Sequence, residues 1–375
     1  KNFFFAFLIL FPTLMISQVD ATRYWIGGSS QNWTDGANWS ASSGGAASSD
    51  YPSGDNAIAW LATANNLITI NADITLNRLI VPGNASVPNG TQYQIDASGS
   101  SILTLKAKTG SALNQVISVS KGGAGLKFLS GTKIKLNGSI PNHLFKMNPN
   151  GASNTILSFL DGSEIDISAS MNLIVQSANI LNNIYFKGII KGSGDIKFAE
   201  KTTTTFGTTV DMTNFTGDLR GENTATNATT TIFGAVSAAV VYIPGDTGGH
   251  TMTVKNAGSL TSSGNLQFNG NSKLIVVGGT GTGGSGSVIA KSTTAAQIRT
   301  EFQKPLDRYQ VGGTTREWTL ISCPVTGETI PDLESQNILS TNGSSKLAFG
   351  VFDNASENFS YFVTKHLCDL FSKQL

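Results

Sequence analysis

The sequence predicts an all-β fold built as a parallel β-solenoid, with a tryptophan-rich cap at its N-terminal end. Three observations lead there. Alternating apolar pairs recur at one step: Leu103/Leu105, Ile134/Leu136, Ile165/Ile167 and Ile196/Phe198, each thirty-one residues after the last. A second series, Leu113, Leu144, Val175 and Phe206, has the same step. Four of the five tryptophans lie between Trp25 and Trp60. A fixed period of this size marks stacked repeats, and alternation with period two marks strands. Gly-spaced strands also occur in sandwiches and barrels. Two series sharing one step favour the solenoid.

Composition narrows the class. The 375 residues carry 25 Lys+Arg and 24 Asp+Glu, so the chain is almost neutral. Nucleic-acid binding needs a basic stripe to neutralise phosphates, and none is present. Charged residues make up only 13%, well below the roughly 25% of ordinary soluble domains. Hydrophobic residues at 39% are too many for a disordered chain. The balance suits a β-rich extracellular protein.

The elements follow in chain order. KNFFFAFLILFPTLMISQVDA has a basic start, an apolar run from Phe3 to Ile16 and a small-residue end at Val19-Asp20-Ala21. These are the parts of a secretory signal peptide, expected over 1–21, with the mature chain starting near Thr22. The run is shorter than a membrane span and Pro12 interrupts it. No later segment is apolar enough to span, so no transmembrane segment is expected after cleavage. Residues 22–66 form the expected cap. Residues 67–277 form the solenoid, with ITINADITLNRLIV as early strands and NLQFNGNSKLIVV as late ones. Each coil holds short strands joined by Gly/Ser/Asn turns. A lone coil cannot cover its own apolar side, so stacking stabilises it. Residues 278–291 read as a Gly-rich linker. Residues 292–375 read as a β-rich segment or second cap. Cys323 and Cys368 lie there and are able to pair in a secreted protein.

One family pattern is visible. The opening W-x-G-G…NW…ANWS, then YPSGDNAIAW, ITINADITLNRLIV and GNASV, resembles the start of many secreted right-handed β-helix proteins. GIIKGSGDIKFAEKTTTTFGTTVDMTNFTGDLRG resembles the strand repeats of autotransporter passenger domains and related adhesins. Gly192, Gly194, Ile196, Asn214, Phe215, Thr216, Gly217 and Leu219 carry that match. The resemblance covers roughly Tyr24 to Val277. It implies a right-handed parallel β-helix at a cell surface, with adhesive or surface-layer roles and no catalytic residues.

Several residue groups invite a chemical reading. Trp25, Trp33 and Trp39 have faces that stack on sugars. The same aromatics would also plug an open solenoid end, which exposes apolar surface and unpaired strand edges. Their uneven spacing favours the plug. Glu164 and Asp166 share one strand face, with Asp195 about a coil further on and Asp161 in the adjacent turn. Paired carboxylates act as acid and base on polysaccharides or bind Ca²⁺. Solvent-facing residues neutralised by Lys133, Lys135 and Lys197 explain them equally and more simply. Gly279, Gly281 and Gly284 spell a dinucleotide fingerprint after a strand, with Glu301 about twenty residues on and Thr293–Phe302 as a possible helix. The β-only chain before it and the short chain after it argue against nucleotide binding. His143, His250 and His366 form no metal-spaced pair, so no zinc site is expected. Asp246 and His250 lack a nucleophile elbow. No cofactor is expected. Ten glycosylation sequons begin at Asn32, Asn38, Asn84, Asn89, Asn137, Asn214, Asn227, Asn342, Asn354 and Asn358, and would matter in a eukaryotic secreted protein.

The expected function is a secreted or surface-displayed, adhesin-like or structural β-helix that presents rigid Thr/Asn/Lys faces. Extracellular glycans or surface proteins are its expected partners. A polysaccharide lyase or hydrolase using Glu164, Asp166 and Asp195 is the second reading. A carbohydrate-binding module using Trp25, Trp33 and Trp39 is the third.

Overall fold

A computed structural model describes residues 17–28, 30–63, 67–83, 87–107, 115–147, 154–178, 181–222, 227–244, 249–279, 285–293, 300–303, 309–311, 314–316, 350–353 and 358–361. The chain divides into two units, Lys1–Pro305 and Leu306–Leu375. Among the described residues the fold is all-β, with one 3-10 turn at Gly36–Asn38 capped by Asp35.

The first unit contains three long sheets, of five, thirteen and ten strands, parallel except for Trp39–Ser40 at one end of the largest, which is antiparallel. The chain visits them in turn. Ile74–Leu76 lies in the five-stranded sheet, Arg78–Val81 in the thirteen-stranded one and Gln92–Ala97 in the ten-stranded one. Ile102–Leu105, Gln115–Val119 and Gly125–Phe128 then repeat the circuit. This winding is consistent with a β-helix. The strands need no long connections because each circuit supplies the crossover that parallel pairing requires.

Alternation decides which side chains enter the core. In Ile102–Leu105, Lys133–Leu136 and Glu164–Ile167 the second and fourth residues are buried and the first and third are not. One column runs Ile74, Leu103, Ile134, Ile165, Ile190. In the ten-stranded sheet another runs Ile95, Phe128, Phe159, Phe186, Phe206, Ile232, Val254, Val276. Its four phenylalanines stack face to face, with centroids 5.0, 5.3 and 5.4 Å apart. Such a stack forms because in-register parallel strands place identical side chains one rung apart, about 4.8 Å.

The thirty-one-residue step holds for only part of the length. Leu103, Ile134 and Ile165 are true neighbours, but Ile165 pairs next with Ile190, twenty-five residues on. Ile196 belongs to the thirteen-stranded sheet and pairs with Leu173. The second expected series does not form a column. Leu144 points outward beside Ile174, Val175 pairs with Phe145, and Phe206 lies in the ten-stranded sheet; Leu113 lies outside the described residues. Turns differ in length from coil to coil, so equal sequence spacing and structural equivalence separate already at Leu144 in the thirteen-stranded sheet and after Ile167 in the five-stranded one.

Glycines permit the tightest turns. Gly192 has φ +100, and a Cβ there would lie 2.1 Å from the Ile167 carbonyl oxygen. At Gly217 a Cβ would lie 2.0 Å from the Gly194 carbonyl oxygen. Only glycine allows these turns to seat on the coil below.

The ladders begin before residue 67 and extend beyond 277. Thr22–Trp25 and Ile58–Leu61, within the expected cap, are strands of the large sheet. Ser17–Val19, within the expected leader, pairs with Asp50–Pro52; residues 1–16 lie outside the described residues. Ser287–Thr293, partly inside the expected linker, pairs with Ser259–Phe268. Thr300–Gln303 pairs with Lys273–Val277 as a strand, in a stretch that reads from sequence as a short helix or loop. In the second unit Tyr309–Val311 pairs with Thr314–Arg316, and Gly350–Asp353 with Asn358–Tyr361, both antiparallel. Cys323 and Cys368 lie outside the described residues.

Candidate functional site

The tryptophans are interior. Trp25, Trp33 and Trp39 are each 0% exposed. Trp39 packs edge-on against Trp25 at 5.1 Å and Trp33 at 4.7 Å. The Trp39 Nε1–H donates to the Trp33 carbonyl at 2.7 Å, and the Trp33 Nε1–H to the Pro52 carbonyl at 3.0 Å. No face is left for a sugar. The same segment covers the first edge of every ladder. Trp39–Ser40 pairs with Thr22–Trp25. Trp33 N–H donates to the Thr69 carbonyl, and Thr69 N–H to the Gln31 carbonyl, both at 2.8 Å. Gly54 N–H donates to the Thr75 carbonyl at 2.8 Å. Arg23 fixes the segment through a two-pronged pair with Asp50, 2.7 Å at each prong. That hydrogen bonding raises the Arg23 pKa and holds the Asp50 carboxyl below its ordinary value.

An aromatic pair absent from the sequence reading does lie outside. Tyr24 and Trp60 stack at 5.8 Å on the outer side of the large sheet, both half-buried. Stacking turns one face of each ring toward the other.

The carboxylates separate. Glu164 and Asp166 share the outer face of one strand. Lys191 Nζ lies 2.7 Å from Glu164 Oε1, and this contact raises the lysine pKa. Asp166 stands in register between Lys135 and Lys191. Asp195 lies on the thirteen-stranded sheet, away from this face. It accepts from Asp218 N–H at 3.1 Å and meets Arg220 Nε at 3.3 Å; Arg220 also binds Asp218. Lys197 pairs with Glu222 at 3.7 Å, so it neutralises a different carboxylate from the expected ones. Asp195 therefore does not join Glu164 and Asp166. Among the described residues no group of three or more His, Cys, Asp or Glu converges on a possible metal position. Glu164→Gln is expected to cost less than about 1 kcal/mol, as for exposed pairs. Thermal melts at low and high salt check this: a large loss that salt does not reduce would contradict a surface ion pair.

Of the Gly-rich motif only Gly279 is among the described residues. Gly279 N–H donates to Ser285 Oγ at 3.1 Å, and Glu301 pairs with Lys273 at 3.1 Å; residues 280–284 and Asp246 lie outside the described residues. Among the sequons, Asn38 is buried: its Oδ1 accepts from Gly28 N–H and its Nδ2 donates to Ser30 Oγ and the Asn32 carbonyl. It has no room for a glycan in the folded chain. Asn32, Asn89, Asn137, Asn214 and Asn227 are exposed. Asn84, Asn342 and Asn354 lie outside the described residues, and Asn358 starts a strand.

One regular outward surface is made of threonine. Thr203, Thr229 and Thr251 stand in one column of the ten-stranded sheet; Thr205, Thr231 and Thr253 stand in the next. Rungs are about 4.8 Å apart, and the columns roughly 6–7 Å apart. Thr229 is exposed and Thr205 is the most covered, at 8%. The grid carries no charge, and Lys273 ends the first column. β-Branching holds each hydroxyl and methyl in few rotamers, so the grid is rigid. The coils concerned are twenty-six and twenty-two residues apart, so no fixed period aligns them. A T-x-T triplet just before a buried apolar residue is the signal that would have found them.

Comparisons with protein-family models, curated proteins and solved structures find no match to the chain.

Proposed function

We propose that the chain is a secreted or surface-displayed right-handed parallel β-helix of adhesin-like type, which presents rigid faces to extracellular glycans or surface proteins and performs no catalysis. The threonine grid carries this reading. It is uncharged and set in register by the backbone, so it meets a hydroxyl-rich partner with little loss of side-chain freedom. The leader-like N-terminus and the likeness to passenger-domain repeats support display outside the cell. The dispersed carboxylates and the buried indoles favour neither the lyase reading nor a tryptophan platform.

The test is a polysaccharide panel incubated with the protein, with and without Ca²⁺, scoring retained protein and new chain ends. Retention without new ends is expected. Thr229→Lys with Thr231→Lys should weaken retention by about tenfold or more without lowering Tm, because the two form the middle rung of the grid. New chain ends, or retention indifferent to these changes, would overturn the proposal.

A further inference from the structure

The chain has three histidines, and two of them, His143 and His250, are 0% and 1% exposed. Their surroundings differ. His143 Nε2 lies 3.0 Å from the Asn137 carbonyl oxygen and 3.2 Å from that of Leu105. These carbonyls and that of Pro141 favour the protonated ring and work against burial. His250 has no such support. Its Nε2 meets only the Thr230 hydroxyl, at 2.9 Å; its Nδ1, like that of His143, is buried without a partner. The Phe198 ring stands edge-on at 5.2 Å. In the core column of Thr230, Thr204 is also buried, and its Oγ1 is unpartnered.

The strands packed against His250 bring no opposing charge inward. Among their described residues, Lys273 pairs outward with Glu301, Asp195 with Arg220, and Lys197 with Glu222. Behind the ring, His250 N–H donates to Ser272 Oγ, which donates to the Pro244 carbonyl. An imidazolium here would hold a second N–H with no acceptor, in a core with no counter-charge among the described residues. That state is reached by opening the coil to water. In a stacked-coil protein each coil depends on its neighbours alone, so a penalty placed on one coil opens that region first.

We propose that the rungs around His250 form an acid-labile joint. Proton uptake by this ring opens Ala228–Ile232, His250–Val254 and Lys273–Val277, while Ile102–Leu105 and Lys133–Leu136 stay closed. Burial alone holds the His250 pKa down to about 3. The sign follows: the closed form binds fewer protons than the open one, so closure is complete above the ordinary histidine pKa and weakens as pH falls below it. A rod displayed outside the cell would thus have its acid response near the threonine grid, since Thr229, Thr231, Thr251 and Thr253 lie on the same strands.

Hydrogen exchange read by mass spectrometry tests this on the full chain between about pH 7 and about pH 4.5, corrected for intrinsic exchange. One extra proton in the open state raises the opening constant about tenfold per pH unit below about 6.5. That slope is expected in the three strands around His250 and not in Ile102–Leu105. It should vanish in His250→Gln and persist in His143→Gln. An equal acid response along the whole rod, or an unchanged slope in His250→Gln, would sink the proposal. If that variant does not fold, the wild-type ring signals decide by NMR. A ring that stays neutral while the strands are protected is expected; one that titrates normally within protected strands overturns the joint.

Discussion

Ile165→Asp prevents the middle coils from closing. Ile165 is 1% exposed and lies between Ile134 and Ile190 in an all-aliphatic column. A carboxylate there has no cation or N–H to meet, because the strand's own N–H groups serve the parallel ladder. Leaving such a charge uncompensated costs about 3–5 kcal/mol, a large share of the stability of an ordinary domain. The loss spreads to Lys133–Leu136 and Ile189–Gly192, which rely on Ile165 to cover their own apolar sides. Asp166→Asn, one residue on and facing outward, is the control and is expected to stay within about 0.5 kcal/mol. Circular dichroism melts of both variants check this. A wild-type melt for Ile165→Asp would mean that residue does not face a core.

Trp39→Ala unfastens the N-terminal end. The indole touches both other buried tryptophans and donates its Nε1–H to the Trp33 carbonyl. Removing a buried tryptophan costs about 3–5 kcal/mol. The consequence is larger than the local loss, because this segment satisfies the first edge of all three ladders. Freed edges pair with other chains. Light scattering should therefore report self-association of Trp39→Ala that the half-buried, outward Trp60→Ala lacks. A monomeric Trp39→Ala with an unchanged Tm and lost glycan retention would instead revive the sugar platform.

Periodicity carried the sequence reading as far as coil lengths stayed equal. Leu103, Ile134 and Ile165 were legible because two successive coils each take thirty-one residues. Ile196 and Phe206 were misplaced because the coils after Ile167 shorten, and a shortened turn moves the next strand to another sheet. The carboxylates show the same effect: Glu164 and Asp166 share a strand in both readings, whereas Asp195 was assigned to their face by counting. Tyr24 and Trp60 went unnoticed because they are thirty-six residues apart and meet only through strand pairing.

By itself the amino-acid sequence determined what is local: strands from alternation, turns from glycine and asparagine, and which side of each strand is apolar. It also determined that large aromatics gather at one end, where an open stack has most surface to cover. The tertiary structure decided everything that depends on which strand lies beside which. It buried the three indoles, gave Glu164 its lysine and Asp195 its arginine, aligned six threonines into a grid and enclosed His250 with no charge partner among the described residues. The physical reason is that stacking register is set by side-chain fit between coils, while turns absorb any difference in length. Residues distant in sequence by unequal intervals therefore become neighbours that no fixed spacing announces.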